Sequence, residues 1–300
     1  MAIKKAFENY AGWGSVSIPV AVGESILIKD IHMNLFGNAC SIVRMYVDSV
    51  QVGEIYVDSS HGNPLMITKN LYQKNTLLKY LFDRGLWRGI PVEEGQTFKV
   101  EAYNQTGAFI NVIYEVHDAA DLKSTDPNGS EAVERDLITY GGCGISQGGD
   151  TKVDTQQWGR IVGGFPYQDK VPPAYEVAIK GVLFQDIYKS ANTGANKIKT
   201  LYLKFVKNRE VLFTRQLYGL LYMGDQTQTG DGTFVGLGVA VGGVYTDKNV
   251  LPPFIFPEPL VCAEGESLDL YIGSVILAGS PTLNPTETMI GLIVTQKRLR

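Results

Sequence analysis

Apolar and polar residues alternate with a period of two in several short stretches of the chain. In 97–103 and in 267–272, every second residue is apolar. Such alternation is typical of a β-strand with one buried face. A Glu-Gly pair precedes each stretch, at 94–95 and at 264–265, and glycine there favours a turn. The pattern predicts two similar strands, each entered from a similar turn.

These two strands belong to a longer internal repeat. Five blocks of the first half match five blocks of the second half, in the same order along the chain. The matches are 10–15 with 140–145, 22–33 with 173–184, 46–48 with 205–207, 94–100 with 264–270, and 109–113 with 289–293. An ordered set of this kind favours two tandem copies of one domain.

The two copies share an irregularity. The apolar phase of 26–33 changes at Lys29-Asp30, and that of 177–184 changes at Lys180-Gly181. One extra residue in a strand produces such a change, and glycine suits the resulting β-bulge. We therefore predict a bulge at the same place in both copies.

A length of 300 residues also suits two domains. The predicted parts are a first domain at 1–120, a linker at 121–135, and a second domain at 136–300 with long loop insertions at 148–172 and 224–250. The linker is polar and contains Asp-Pro and Asn-Gly breakers, with a helical turn expected at 131–135. One helix is predicted over 67–82, with Thr68 as N-cap and Gly85 as its stop.

Composition excludes several classes of protein. Apolar residues make up 44 % of the chain, charged residues 19 %, and the net charge is −4. This charge is too small to cause disorder by self-repulsion, and a protein that coats nucleic acid would be basic. We expect no specific nucleic-acid binding.

The three cysteines, Cys40, Cys143 and Cys262, lie far apart. This spacing argues against a disulfide scaffold and against a cysteine-rich zinc site. The first residues lack the apolar core of a signal peptide, and no stretch of about 18 apolar residues is present. We expect synthesis in a reducing cytoplasm.

Catalytic and metal-binding patterns are weak. Residues 144–148 fit G-x-S-x-G, but a nucleophile elbow needs a helix after Ser146, and 149–153 has no helical character. His32, His61 and His117 do not have metal-ligand spacing. We expect His32 to be packed or on the surface and His117 to be solvated. The sequence predicts no enzyme, no cofactor and no metal centre.

A calcium loop is a further alternative at Asp225 and 230–233. Its acidic residues are too few for an EF-hand-type loop, so a plain loop is favoured, and bound calcium stays open.

Both ends of the chain are locally basic although the whole chain is acidic. The basic residues are Lys4, Lys5, Lys297, Arg298 and Arg300. Basic ends of this kind are candidates for a surface that faces lipid headgroups or the interior of a particle.

The chain resembles the double jelly-roll major capsid proteins of tailless icosahedral viruses. The resemblance lies in the two strand-rich copies with equivalent bulges, in the helix between strands, and in the long loops of the second copy. The resemblance covers the whole chain. It implies an all-β fold of two tandem jelly-roll domains with few short helices. It also implies a structural coat protein without catalytic activity.

The resemblance implies partners and a location as well. Three chains would form a pseudo-hexagonal homotrimer, which contacts neighbouring capsomers and vertex or minor capsid proteins. Many members of this family enclose an internal membrane, so lipid is an expected partner of the basic ends. The protein would be made in the host cytoplasm, for example that of a bacterium infected by a phage, and would end in the virion.

Two other functions compete with this interpretation. The first is a phage or cell-surface protein whose tandem β-sandwiches bind a receptor or carbohydrate, with a surface cluster of Trp or Tyr beside Asp or Asn. The second is a metal-dependent two-domain cupin enzyme, which needs closely spaced histidines and a carboxylate.

Overall fold

The computed structural model describes residues 3–34, 40–58, 77–102, 107–122, 134–153, 170–184, 197–212, 221–222, 227–228, 234–235, 254–280, 282 and 290–299. The first half contains β1 Ile3–Trp13, β2 Ser15–Pro19, β3 Glu24–Asn34, β4 Cys40–Val47, β5 Val50–Asp58, α1 Leu77–Asp83, β6 Ile90–Val92, β7 Thr97–Ala102 and β8 Phe109–Asp118. The second half contains β9 Glu134–Gly141, β10 Gly149–Lys152, β11 Tyr175–Phe184, β12 Lys197–Lys207, β13 Glu210–Val211, β14 Leu221–Tyr222, β15 Thr227–Gln228, β16 Phe234–Val235, β17 Phe254–Cys262, β18 Leu268–Ala278 and β19 Ile290–Arg298.

The strands of each half form two sheets in which neighbours run antiparallel. In the first half the orders are β1-β8-β3-β6 and β2-β7-β4-β5. In the second half they are β9-β19-β11-β17 and β10-β18-β12-β13, with β14 beside β12. Each strand of the first half therefore has a counterpart at the same place in the second half. Two four-stranded sheets in this order make a jelly roll, so the predicted all-β, double jelly-roll fold is confirmed.

The chain divides into two compact units, residues 1–139 with 293–300 and residues 140–292. Strand β9 begins at Glu134, so Glu134 and Arg135 are extended, and the helical turn expected there is wrong at these two residues. Their backbone joins a sheet whose ladder pairs N–H and C=O groups, which an isolated helical turn in a linker cannot do.

Each jelly roll buries the alternating apolar residues of its strands. Fully buried side chains of the first include Ile28, Ile31 and Phe98, and those of the second include Phe205 and Leu270. Each such side chain stabilises the fold by about 1.5–3 kcal/mol. The period-two patterns predicted for 97–103 and 267–272 correspond to β7 and β18, in which Phe98 and Leu270 face the core.

The predicted bulge of the first copy is present, because the pairing of β3 with β8 shifts register between Ile28 and Asp30 and β3 has the extra residue. In the second copy an irregularity falls at the predicted place, between Ile179 and Gly181, but the extra residues lie in the partner strand β17: Ile179 pairs with Leu260 and Gly181 with Ile255. A side chain at Gly181 would lie 2.6 Å from the carbonyl oxygen of Phe254. Glycine is therefore required there because the neighbouring backbone approaches closely.

The turns that enter β7 and β18 match closely. Gly95 has φ +79° and Gly265 has φ +76°. The Gly95 N–H donates to the Val20 carbonyl at 3.3 Å, and the Gly265 N–H donates to the Val171 carbonyl at 3.0 Å. The prediction that these glycines occupy equivalent turns is confirmed.

The glutamates before these glycines bind a second turn in the same way. Glu94 Oε1 accepts a hydrogen bond from the Gly23 N–H at 2.9 Å, and Glu264 Oε2 accepts one from the Ala174 N–H at 2.9 Å. Gly23 and Ala174 both have positive φ, +77° and +64°. Alanine rarely adopts this conformation, so the carboxylate contact helps to hold a strained residue.

One predicted match is out of register by a residue. The sequence pairs Asp48 with Lys207, whereas the structure places Asp48 and Asn208 in equivalent hairpin turns, with φ +53° and +50°. The Asp48 side chain accepts from the Thr97 N–H, and the Asn208 side chain accepts from the Ser267 N–H, each at 2.9 Å. The turn requires positive φ and a side-chain acceptor, which Asn provides and Lys does not.

The predicted helix is described only from Leu77, where α1 begins, and Thr68 lies outside the described residues. Its predicted end is confirmed. Gly85 has φ +67°, its N–H donates to the Phe82 carbonyl at 3.0 Å, and the Leu86 N–H donates to the Leu81 carbonyl at 2.9 Å. A glycine in the left-handed region commonly ends a helix in this way.

The predicted insertions are described in part. Residues 149–152 form β10, and β15 pairs with β16 in a small sheet within 224–250. Within the predicted insertions, residues 154–169, 224–226, 229–233 and 236–250 lie outside the described residues.

Candidate assembly surface

Strand β1 exposes apolar side chains along most of its length. Ile3, Phe7, Tyr10 and Trp13 expose 49 %, 64 %, 50 % and 59 % of their surfaces. Tyr10 pairs with Val112 and Trp13 with Phe109. Because Trp13 lies three positions after Tyr10, the two side chains lie on opposite faces of the strand. Exposed apolar side chains concentrated on one strand make β1 a candidate binding surface.

Strand β1 is also a long edge strand. It pairs with β8 on one side and lies at the end of its sheet. Two other edge strands are protected by proline: β6 has three residues including Pro91, and β17 contains Pro257 and Pro259. Proline lacks the N–H that pairs with a further strand, whereas the eleven residues of β1 contain none.

The outward face of β1 and β8 combines aromatic rings and amides. The rings of Trp13 and Phe109 meet edge to face, with centroids 5.2 Å apart. The Asn9 amide donates to Asn111 Oδ1 at 3.2 Å. Asn111 pairs with Ala11, so it is a diagonal neighbour of Trp13, at about 7–8 Å between backbones.

The basic residues of β1 are matched by carboxylates. Lys4 Nζ lies 2.8 Å from Asp118 Oδ1 and donates to the Gly23 carbonyl at 2.9 Å, while Lys5 Nζ lies 3.0 Å from Glu8 Oε1. The hydrogen bond to Asp118 raises the pKa of Lys4, and the hydrogen bond to Glu8 raises the pKa of Lys5. Both ammonium groups are exposed and charged at neutral pH, but the local surface is a mixture of both signs.

The basic residues of the C-terminus are described less fully. Lys297 is exposed near the end of β19, and Arg298 is the last residue of that strand. The side chain of Arg298 and the whole of Arg300 lie outside what the structure describes. The placement of all five basic residues on one face stays a prediction.

His117 is buried rather than solvated, so that expectation is wrong. Its Nε2 lies 3.2 Å from Glu115 Oε2, and Glu115 Oε1 accepts from Lys29 Nζ at 2.9 Å. Residues two apart on a strand share a face, so Glu115 supplies a half-buried partner that the position of His117 at a strand end did not reveal. His117 Nδ1 has no hydrogen-bond partner among the described residues.

His32 is half-buried, as expected of a packed or surface residue. Its Nε2 lies 2.8 Å from Asp30 Oδ2, and Asp30 Oδ1 accepts from the Ile31 N–H at 2.9 Å. His61 lies outside the described residues. Within the described part of the chain, no three His, Cys, Asp or Glu side chains form a metal-binding group, and Asp225 and 230–233 are outside it.

Glu54 is a buried carboxyl group on β5, with 1 % of its side chain exposed. Arg44 Nε and Gln51 Nε2 each lie 3.3 Å from its Oε2, and its Oε1 has no partner among the described residues. Burial raises the pKa of Glu54 to about 7, and the Arg44 guanidinium and the Gln51 amide offset only part of this rise. The carboxyl group therefore titrates near neutral pH.

The G-x-S-x-G segment leads into a strand. Ser146 is exposed, and β10 follows from Gly149, where a nucleophile elbow requires a helix. Cys143 and Cys262 are buried and not disulfide-bonded, and burial raises the pKa of Cys262 to about 11. A thiol with this pKa is protonated at neutral pH and is a poor nucleophile.

No helix in the described part of the chain is long and apolar enough to cross a membrane.

Comparison with known proteins finds no matching family model and no matching curated protein. Among solved structures, the chain is similar to the major capsid protein P2 of bacteriophage PM2, at 12 % identity and a TM-score of 0.39, covering 99 % of this chain and 98 % of that one. It is also similar to the peptide N-glycanase PNGase F, at 8 % identity and a TM-score of 0.28, covering 100 % and 94 %. A third is PNGF-II, at 9 % identity and a TM-score of 0.31, covering 96 % and 60 %. These TM-scores are too low to carry an argument about function. The argument about function rests on the chain's own geometry.

Proposed function

We propose that this chain is a structural coat protein, a viral major capsid protein that assembles through homotrimers into an icosahedral shell. The observation that carries the proposal is the exposed aromatic edge strand β1 on one of two topologically equivalent jelly rolls. Aromatic residues are enriched in protein interfaces. A jelly roll folds two sheets together and so leaves few open edges, which allows dense side-by-side packing without fibre formation.

The homotrimer follows from the duplication. Three chains contain six jelly rolls of one topology, and six similar units in a ring have a shape that tiles a surface. The other proposed partners are neighbouring trimers, vertex or minor capsid proteins, and an internal lipid membrane. The proposed location is the virion, after synthesis in the host cytoplasm.

Mass photometry across a wide concentration range tests this proposal, followed by electron microscopy of concentrated protein. We expect a trimer that assembles into hexagonal arrays or shells. A chain that stays monomeric at every concentration contradicts the proposal.

A lipid partner is tested separately at the basic ends. Each basic residue near an anionic surface contributes about 1 kcal/mol to binding, and salt screens this attraction. We expect co-sedimentation with anionic liposomes at low salt, weakened when Lys4, Lys5, Lys297, Arg298 and Arg300 are all neutralised. Equal binding by wild type and variant argues against a lipid-facing role of the ends.

Carbohydrate binding is a second candidate function, favoured by the surface of Trp13, Phe109, Asn9 and Asn111. An aromatic face beside amide donors and acceptors is the arrangement that a sugar ring and its hydroxyl groups require. A glycan array distinguishes the two functions. Binding that is lost in Trp13→Ala but retained by a monomeric protein would favour the carbohydrate-binding function.

A further inference from the structure

The outward face of β1, β8 and β3 is regular over part of its length. From Glu8 to Trp13 on β1 and from Asp30 to Met33 on β3, the pairing with β8 shows no register shift. Ile31 and Val112 are buried in the core, so the positions that alternate with them face outward. These positions form three rows across the sheet: Trp13 with Phe109, Ala11 with Asn111 and His32, and Asn9 with Ile113 and Asp30.

Ala11 leaves a gap on this face between Trp13 and Asn9. Positions four apart on a strand lie about 13 Å apart along it, and the methyl group of Ala11 fills little of that length. The Asn9 amide donates to Asn111 Oδ1 at 3.2 Å, so the Asn111 side chain extends towards Asn9 and not towards Trp13. Ala11 and Trp13 are both exposed. The gap is therefore open to solvent and is wide enough for one pyranose ring.

The two amides place a donor beside an acceptor at one end of this gap. An Asn side chain has two N–H donors and one carbonyl acceptor. The described hydrogen bond uses one N–H of Asn9 and the carbonyl of Asn111. The Asn9 carbonyl and the Asn111 NH2 group are then left to bind a ligand. Adjacent hydroxyl groups of a sugar ring match such a pair, because each hydroxyl both donates and accepts.

His32 adds a polar group whose orientation is fixed. Its Nε2 lies 2.8 Å from Asp30 Oδ2, and Asp30 Oδ1 accepts from the Ile31 N–H at 2.9 Å. A carboxylate only accepts, so Nε2 carries the proton, and in a neutral ring Nδ1 is then the acceptor. Asp30 is 3 % exposed, so the group that orients the imidazole is itself held within the sheet. His32 pairs with Asn111 and extends the polar row across β3.

The charges of this surface favour a neutral ligand. Among the outward positions of the three rows, Asp30 is acidic and none is Lys or Arg. The next basic residue along β3 is Lys29, whose Nζ lies 2.9 Å from Glu115 Oε1. A carboxylate or sulfate group on a ligand binds most strongly to a basic partner, and these rows offer none. The exposed ring of Trp13 has a negative face, which attracts the polarised C–H groups of a sugar.

We infer that this surface binds a neutral pyranose residue of a glycan, with one C–H face of the sugar on Trp13 and its hydroxyl groups on Asn111 and His32. The inference rests on the carbohydrate-binding candidate of the proposed function. It deepens that candidate by naming the class of sugar and the groups that hold it. Tyr10 lies on the opposite face of β1, so self-association through that face is compatible with this site.

Saturation-transfer NMR titrations with defined oligosaccharides test the site. The neutral probes are cellotetraose, mannotetraose, galactotetraose and chitotetraose, and the acidic probe is tetragalacturonate. We expect at least one neutral probe to bind, with the strongest saturation on the C–H protons of one ring face. Tetragalacturonate should not bind, because its carboxylates find no basic partner on these rows.

Variants of the outward face locate the binding. Trp13→Ala should weaken binding of the neutral probe by about tenfold or more. Asn111→Ala and His32→Ala should each weaken it by about threefold to tenfold. Tyr10→Ala is the matched control, because Tyr10 is an aromatic residue of the same strand that is 50 % exposed on the opposite face. Thermal unfolding checks each fold, and the exposed positions Trp13 and Asn111 decide the matter if His32→Ala does not fold.

Three results overturn the inference: no neutral probe binds, tetragalacturonate binds as tightly as the neutral probes, or Trp13→Ala and Tyr10→Ala have equal effects. A probe that binds Trp13→Ala as well as wild type shows carbohydrate binding elsewhere, which overturns this site alone. Mass photometry of the same proteins separates the inference from the coat-protein proposal, since a missing trimer contradicts only the latter. If Trp13→Ala reduces trimer formation and no probe binds wild type, a second copy covers this face and the inference is wrong.

Discussion

The buried Glu54 makes the stability of the first jelly roll depend on pH in an unusual direction. Its folded-state pKa is about 7, raised from an ordinary value of 4.5. Between these values the folded state holds a proton that the unfolded state has lost. The free energy of unfolding therefore falls as pH rises through this window, by about 1.4 kcal/mol for each pH unit, and levels off above it.

The variant Glu54→Gln removes this dependence, because the amide is neutral at every pH and keeps an oxygen for Arg44. We expect the free energy of unfolding of the variant, minus that of wild type, to rise by about 2–3 kcal/mol between about pH 5 and about pH 8. Urea unfolding curves at each pH give the free energy of unfolding of wild type and of the variant. The two are compared with one shared m-value, the slope of this free energy against urea concentration.

Glu101→Gln is the control on the same sheet. The hydrogen bond from Lys99 lowers the pKa of Glu101, so its contribution is present at neutral pH and is lost as pH falls. This side chain is partly exposed, so its effect should be below about 1 kcal/mol and of opposite sign. A Glu54→Gln difference that stays flat across the window would refute the reasoning, since it would mean that Arg44 keeps the buried carboxylate ionised without cost.

Two further predictions concern the duplicated turns, and urea unfolding measures both. Gly95→Ala and Gly265→Ala should each destabilise by more than about 1 kcal/mol because φ is positive, whereas Gly107→Ala, which meets open space, should have little effect; equal values for all three would contradict the turn geometry. Asp48→Ala should cost about 1 kcal/mol by removing the acceptor for the Thr97 N–H. Asp48→Asn should cost little, because Asn208 performs this role in the other copy; a loss as large as that of Asp48→Ala would show that the carboxylate charge matters more than the hydrogen bond.

The features that could be predicted from the sequence are local and occur twice. The register irregularities beside Lys29 and Lys180 and the turns at Gly95 and Gly265 each depend on a few neighbouring residues, and the second copy repeats the signal. The sequence match pairs Asp48 with Lys207, one residue before its counterpart, because an apolar pattern still matches after a shift of one residue. The positive φ of the turn identifies Asn208 as the counterpart.

The candidate surface could not be predicted in the same way. Alternation reveals that a strand has a buried face, but it does not reveal which strand lies at a sheet edge. In β1 the residues Phe7, Tyr10 and Trp13 recur every third position, which matches neither face of a strand. This mismatch was the available signal that both faces of β1 carry apolar side chains. The burial of His117 was not predicted, because its contact with Glu115 forms only when both side chains lie on the same face of β8.

The two copies are alike where they determine the fold and different where they meet other surfaces. The turn contacts of Glu94 and Glu264 have the same donors, acceptors and lengths, because any change there would break a strand connection. Trp13 and Cys143, which the repeat matches, show the difference: Trp13 is 59 % exposed, whereas Cys143 is 4 % exposed. A ring that is mostly exposed contributes little to the core, so the residue at this position is determined by the surface and not by the fold.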